Sequence, residues 1–388
     1  MCGWRETTMA EMVRFRNGKS TKGIAAGNIP VYGSNGIIGT SAKSLYSNAI
    51  ILGRVGAYCG SVAYCSRSFW ATDNTIVVEP NADVLDVVFG YYLFLAADLN
   101  RYASGSAQPL LTQTNLKGVS FSLPPLKIQR RIAEILGAYD DLIEVNRQRI
   151  SVLESMVQGL FTEWFIRLRF PGHEDVAIEN TPDGPLPAGW TYDTLANIAS
   201  INATSLRANS APTEIGYIDI ASVSPGRIDA INRMLFSDAP GRARRRVRDG
   251  SILWSNVRPN RRSFALVLDP TPDIIASTGF TVLDPHGTSF AYLYQWVTTE
   301  KFVSYLVGNA QGAAYPAVTS ATFERAMVLL PPSDQVARYT AFAEPLLRLA
   351  DHLQKSNTNL AAARGLLLPR LISGQLSITQ AERELEVA

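Results

Sequence analysis

The feature that most restricts how this chain can fold is an internal repeat. Gly3-Trp4 opens a stretch with apolar residues at Met9, Met12 and Phe15; Gly189-Trp190 opens another with Leu195, Ile198 and Ile201, each 186 positions on. Ile51-Leu52-Gly53-Arg54-Val55 has the shape of Ile252 to Val257. Gly105, Pro109, Thr112 and Leu123-Pro124-Pro125 recur at Gly312, Pro316, Thr319 and Leu330-Pro331-Pro332, at a constant offset of 207. The second copy therefore carries about 21 extra residues, expected in the Arg-rich region after Pro240. One copy occupies half of the 388 residues.

Each copy changes texture at its Leu-Pro-Pro. Before it, short β-branched or aromatic runs such as Ala49-Ile50-Ile51-Leu52, Thr75-Ile76-Val77-Val78 and Ser251-Ile252-Leu253-Trp254 stand between turn residues and read as short strands of an α+β head. After it, Ile132, Ile135, Leu136, Tyr139, Leu142 and Ile143, then Ile150, Leu153, Met156, Val157, Leu160 and Phe161, follow a three-four spacing. The counterpart has Val336, Tyr339, Leu346, Leu347, Ala350, Leu353, Leu360, Ala363, Leu367 and Leu371. About 40 helical residues make a rod of about 60 Å. Pro345 should kink the second rod or end a first short segment. A helix with one apolar stripe needs a partner, and the other copy supplies it. The expected fold is α+β: two heads separated by two long helices that form an antiparallel coiled coil. Its parts are residues 1-123 (first head), 124-170 (first spacer helix), 171-185 (linker), 186-330 (second head) and 331-388 (second spacer helix).

Several chemistries fail on the residues. Gly18-Lys19-Ser20-Thr21 resembles the end of a phosphate loop, but Val13 stands where that loop needs its first glycine. Gly33, Gly36 and Gly39 read as turn formers, not as a dinucleotide fingerprint. His173, His286 and His352 are far apart, none at metal-ligand spacing with a Cys or carboxylate. No Gly-x-Ser-x-Gly elbow, base-methylation motif or helicase-type ATP site appears. No catalytic residue and no metal site is proposed. Cys2, Cys59 and Cys65 leave an odd thiol, the usage of a reduced compartment, and Cys59 and Cys65 read as buried structural thiols. The first residues carry Arg5 and Glu6 with no apolar run behind them, so no signal peptide is expected. Val87 to Ala97 is too short to span a bilayer. The expectation is a cytoplasmic protein without membrane contact.

Two similar heads on a spacer, with no chemistry of their own, suit a two-site reader, and double-stranded DNA rewards such spacing. The net charge of +2 is uninformative, because binding depends on local patches. Residues 242 to 262 hold eight arginines against Asp249 alone. The bland reading is a solvated basic loop; the functional one is DNA contact, since so many like charges repel unless an anion is near. Arg244, Arg245, Arg246, Arg258, Arg261 and Arg262 are candidates for phosphates or guanine, and Asn256 and Asn260 for adenine. Gln311 and Tyr315, beside Gly312 and Pro316, complete the second head's set. In the first head the candidates are Lys19, Lys22, Tyr32, Ser34, Asn35, Arg54, Ser106 and Gln108, each with a plain alternative as turn or surface.

The ordered combination resembles the specificity subunit of type I restriction-modification systems. It consists of Leu123-Pro124-Pro125-Leu126 with Gln129 and Ile132; Leu160-Phe161 through Trp164-Phe165 and Phe170-Pro171-Gly172; Leu186-Pro187-Ala188-Gly189-Trp190; and Leu371-Ile372-Ser373-Gly374. The head signatures Ile29-Pro30-Val31-Tyr32-Gly33-Ser34-Asn35-Gly36-Ile37-Ile38-Gly39 and Gly105-Ser106-Ala107-Gln108-Pro109 fit as well. The resemblance covers nearly the whole chain. It implies two target-recognition domains that each read half of a split DNA sequence, with the helices as a ruler. It also implies partners: methylation subunits, which bind S-adenosylmethionine, and an ATP- and Mg-dependent restriction subunit, with no cofactor bound by this chain. The chain departs from the family in three places. It begins almost at Gly3-Trp4, which points to a late start. Gln335 follows the second Leu-Pro-Pro one residue earlier than Gln129 follows the first, and Pro345 interrupts the second helix. Two rival readings are the target-recognition subunit of a fused restriction-methylation enzyme (type IIB/IIG-like) and a coiled-coil adaptor whose heads bind protein.

Overall fold

The computed structural model describes residues 3–105, 108–182, 184–207 and 211–387. It divides into two compact units. One comprises Met1–Asn146 with Ser356–Ala388, the other Arg147–Lys355.

In the first unit β1 (Arg5–Thr8), α1 (Met9–Met12) and β2 (Val13–Asn17) lead into β3 (Ile29–Gly33), β4 (Gly36–Ser41), β5 (Tyr46–Gly53), β6 (Val62–Ala71) and β7 (Thr75–Pro80). The sheet order is β2-β7-β5-β6-β3-β4, with β3 parallel to β6 and the other pairs antiparallel. The apolar runs of β5 and β7 are buried on both faces, as a covered central strand requires. The helix α2 (Val87–Ala96) starts where the Asp86 carboxylate accepts from the N–H groups of Val88 and Phe89, both at 3.0 Å. A shorter helix, α3 (Gln113–Lys117), and β8 (Ser120–Leu123), paired with β1, close the head.

The Leu-Pro-Pro then releases the chain into α4 (Leu126–Phe161). Gln129 fastens this helix to the head: it accepts from Asp86 N–H at 2.9 Å and donates to the carbonyls of Val84 and Pro124, each at 2.9 Å.

In the second unit β9 (Ile178–Thr181), β10 (Gly184–Pro187), β11 (Thr191–Thr194), α5 (Leu195–Ile198), β12 (Ala199–Ile201) and β13 (Glu214–Ile218) are followed by β14 (Val223–Ser224), β15 (Arg227–Ile228), β16 (Asn232–Leu235) and β17 (Ala243–Arg246). Then come β18 (Ser251–Ser255), β19 (Phe264–Val267), β20 (Ile274–Ser277), β21 (Phe280–Pro285), α6 (Phe290–Val297), α7 (Glu300–Gly308), α8 (Ser320–Glu324) and β22 (Met327–Leu330). The sheets run β12-β21-β18-β19 and β16-β13-β20-β17. This is the first head's strand order with its β6 split into β19 and β20. Most of the extra residues of this copy lie in the connection from β13 to β18, beginning well before Pro240, and β17 is their addition to the sheet; the remainder fall between Arg258 and Gly312.

The last elements are α9 (Ser333–Ile372) and α10 (Ile378–Val387). Pro345 does not end α9. It is exposed, between Ala343 and Leu347, which are buried in the second unit's core. The carbonyl of residue 341, which loses its donor to the proline, lies on an exposed residue open to water.

The two long helices pair antiparallel inside each unit. In the first, Ile132, Ile135, Leu136 and Tyr139 share a core with Leu367 and Leu371, and Arg364 pairs with Asp140. In the second, Val157 and Phe161 share a core with Val336, Tyr339 and Ala343. This is the α+β fold with two heads and a helical pair that the repeat calls for.

The first unit's helix seam buries one polar pair. Asn146 and Asn357 are 3% and 6% exposed; Asn146 Nδ2 donates to Asn357 Oδ1 at 3.0 Å, and Asn357 Nδ2 to the Ile143 carbonyl at 3.3 Å. A buried amide pair satisfied only in one alignment sets helix register at some expense of stability. Asn146→Ala, which strands the Asn357 amide, is expected to cost about 1–3 kcal/mol. The double change to leucine should recover that loss, as a urea titration of both variants would show; equal midpoints for the single and double variants would contradict it.

Candidate nucleic-acid interface

At the end of each sheet the same loop is built twice. Ser104 and Leu110 exchange backbone hydrogen bonds of 2.9 and 2.8 Å; Gln311 and Ala317 exchange bonds of 2.9 and 2.8 Å. Each loop turns on a left-handed glycine, Gly105 at φ +92° and Gly312 at φ +100°, a conformation other residues seldom adopt.

Both loops are braced on the segment that leaves the central strand. Leu111 N–H donates to the Arg54 carbonyl at 2.9 Å, and Val318 N–H to that of Asn256 at 2.9 Å. Gly56 N–H donates to the Pro109 carbonyl at 3.2 Å, and Arg258 N–H to that of Pro316 at 2.7 Å. Arg54 and Asn256, and Gly56 and Arg258, are therefore equivalent positions.

In the first head this end gathers most of the sequence candidates. Ser34 Oγ donates to the Asn74 carbonyl at 2.7 Å, and the Ser34 carbonyl accepts from Ser61 Oγ at 2.6 Å. Arg54 N–H reaches the same Asn74 carbonyl at 2.9 Å. The exposed Asn35 forms the β3–β4 turn with Ser34. Lys19 is exposed; its N–H donates to the Ala71 carbonyl at 2.8 Å, and its carbonyl accepts from Trp70 Nε1 at 2.8 Å. Lys22 is exposed in the following turn. Gln108 is exposed on the bridged loop, and Ser106 lies outside the described residues.

Tyr32 is placed differently. It is 8% exposed, packs edge-on against Phe69 at 5.6 Å, and burial pushes its phenol up to about 12. It is a core residue, and its hairpin instead exposes Ile37 and Ile38, each at 59%. Tyr58, 52% exposed in the turn after Gly56, also belongs to this surface. It escaped sequence reasoning because an isolated tyrosine beside glycines carries no motif; the equivalence of Gly56 with Arg258 is the signal that finds it.

In the second head the arginine-rich segment is not one patch. Arg248 Nε lies 3.3 Å from the buried Asp284, and Arg262 Nη2 lies 2.5 Å from Glu300. Arg244 sits over the Phe236 ring, 5.1 Å from its centroid. The Arg245 side chain is half-buried, with Nη1 3.4 Å from Ser205 Oγ, and burial lowers its pKa. Arg246 follows on the same strand, β17, whose outer edge is taken by residues 204–206: Leu206 N–H donates to the Arg244 carbonyl at 2.7 Å and Arg246 N–H to that of Thr204 at 3.2 Å. Counting charges locally suggested eight arginines facing one acid. Folding brings Asp284 and Glu300 from distant sequence to two of them.

What remains at the loop end is Asn256, Arg258, Asn260, Arg261 and the bridged loop with Gln311 and Tyr315. Asn256 Oδ1 accepts from Thr281 Oγ1 at 2.6 Å, so its side chain is already engaged. Asn260 and Arg261 are exposed in a 3-10 turn, Pro259–Arg261. Arg258 lies over the ring of Tyr315. The arrangement offers cationic, amide and aromatic groups on rigid loops, the means by which proteins bind nucleic acids. Among the described residues no cluster of His, Cys, Asp or Glu could hold a metal ion, and no helix is long and apolar enough to cross a membrane. Cys59 and Cys65 are buried free thiols.

Known proteins share this organisation. Residues 1–155 match the family model of the type I restriction modification DNA specificity domain. The type I restriction enzyme MjaIX specificity subunit of Methanocaldococcus jannaschii is 23% identical over 306 residues, 75% of this chain and 69% of that protein. The EcoprrI specificity subunit of Escherichia coli is 32% identical over 162 residues, 38% of this chain and 39% of its own. Among solved structures, the type I restriction-modification system S subunit from M. genitalium superposes with a TM-score of 0.66 at 16% identity, covering 95% of this chain and 96% of that one, a likeness of fold. With its first head inside the family model and similarity to specificity subunits over 75% of its length, the chain is similar to the type I restriction modification DNA specificity family.

Proposed function

We propose that this chain reads a split DNA target for a type I restriction-modification complex, one head for each half. The single observation that carries the reading is the twofold recurrence of the bridged loop on the same strand end. A recurring loop on a fixed scaffold is where recognition residues can differ while the fold stays constant. The helical pair would set the gap between the halves and recruit methylation subunits and a restriction subunit. Binding of S-adenosylmethionine, ATP and Mg is assigned to those partners, and the chain itself would act without catalysis in the cytoplasm.

The test is to co-express the chain with its methylation subunits and map methylated adenines across the host genome. One motif of two specified parts around a fixed gap is expected; one contiguous motif, or none, would refute the proposal. Binding to target duplex should also weaken steeply with salt, by about a thousandfold between 50 and 200 mM for some six phosphate contacts.

A further inference from the structure

The geometry points to Arg258 as the reader of a guanine in the half-site taken by the second head, with Tyr315 as its positioning residue. This rests on the DNA reading proposed above and assigns one base contact within it.

Arg258 stands where the backbone favours glycine. Its φ is +50°, and the equivalent residue of the first head, bound to the same kind of proline carbonyl, is Gly56 at φ +74°. A long side chain in left-handed backbone is a strained choice, and strain of this kind persists where a side chain has a task. Arg262, at the other end of the same turn, also has a positive φ, +55°, and is anchored by Glu300. The turn is thus held at both ends.

The guanidinium is aimed as well as strained. It lies 4.8 Å from the centroid of the Tyr315 ring, and Nη2 donates to the Ala314 carbonyl at 3.2 Å. Tyr315 is 70% exposed, so the stack stands on the surface. Among the described residues no carboxylate pairs with Arg258, in contrast to Arg248 and Arg262. Its remaining N–H groups keep the planar fork that matches O6 and N7 of guanine, the base edge with two acceptors side by side in the major groove. Fixing a flexible side chain before it binds removes part of the entropy otherwise lost on binding.

The experiment uses the assembled methylating complex and duplexes of its mapped target, in which each guanine in turn is replaced by 7-deazaguanine, which lacks N7. The unsubstituted complex should lose about tenfold in affinity or more at one guanine of one half-site. Arg258→Gly should bind that duplex and the natural one equally, with a melting temperature equal to or above that of the parent. Tyr315→Phe keeps the ring face and should keep the discrimination; Tyr315→Ala should lose it in part. If Arg258→Gly still discriminates at that guanine, or weakens every duplex uniformly as a phosphate contact would, the assignment is overturned. A lowered melting temperature would overturn the strain argument with it. A parent complex with no split target would instead defeat the underlying reading, before any substitution is made.

Discussion

Tyr339→Ala is expected to destabilise the second unit by about 3–5 kcal/mol, the range for removing a large aromatic side chain from a core. Tyr339 is fully buried, and its ring centroid lies 5.1 Å from that of Phe165 and 6.1 Å from those of Phe161 and Trp164. These neighbours come from the end of α4 and the segment after it, so one side chain of α9 joins three aromatic residues of the other rod. The hydroxyl contributes little by comparison: it reaches the Val157 carbonyl only at 3.4 Å. Tyr339→Phe should therefore cost under about 1 kcal/mol. Urea unfolding of the two variants separates packing from hydrogen bonding, and a Phe variant as unstable as the Ala variant would contradict the account.

Gly53→Ala should disable the first head's loop end. A Cβ at this position would lie 2.3 Å from Ser61 Oγ and from the Tyr58 carbonyl, and 3.0 Å from the Ser34 carbonyl. The serine hydroxyl could rotate away, but the Tyr58 carbonyl is backbone. The segment carrying Tyr58 must therefore move, and the Gly60 N–H to Gly53 carbonyl bond of 2.8 Å opens with it. Overpacking of this kind costs about 1–3 kcal/mol, which a head of this size tolerates, so the chain should fold and assemble. The effect expected is on recognition: the half of the methylated motif read by this head should become degenerate while the other half is kept. Ser61→Gly added to Gly53→Ala should not restore it. A Gly53→Ala complex with the parent's motif would show that this strand end takes no part in recognition.

Much of this was legible in the sequence. The offset repeat gave two heads, the three-four spacing gave both rods, and Leu-Pro-Pro marked each boundary between textures, because hydrophobic periodicity is a local property of the chain. Where the outcome depended on partners distant in sequence, local reading failed. Tyr32 lies in a Gly- and Ser-rich turn sequence yet is buried, because β6 brings Phe69 against it. Arg262 sits among arginines, but Glu300 reaches it from α7. Pro345 reads as a kink or a helix stop, and buried neighbours on either side carry the rod through it without a stop. The first head's holders, Ser61 and Asn74, act through backbone and hydroxyl groups that no motif marks.

The discontinuity of the first unit bears on how the chain is made. Its core joins Ile132 and Tyr139 to Leu367, Leu371 and Ala381, and its buried amide pair bridges 211 positions of sequence. The second unit is one uninterrupted segment, Arg147–Lys355. On the ribosome the first of these two heads must wait for the stretch that begins at Ser356 before it can complete its interior, while the second can finish before it. Nascent chains halted before residue 356 should accordingly hold a protease-resistant second unit beside a first unit that is still cleavable, reversing the usual order in which domains mature during translation.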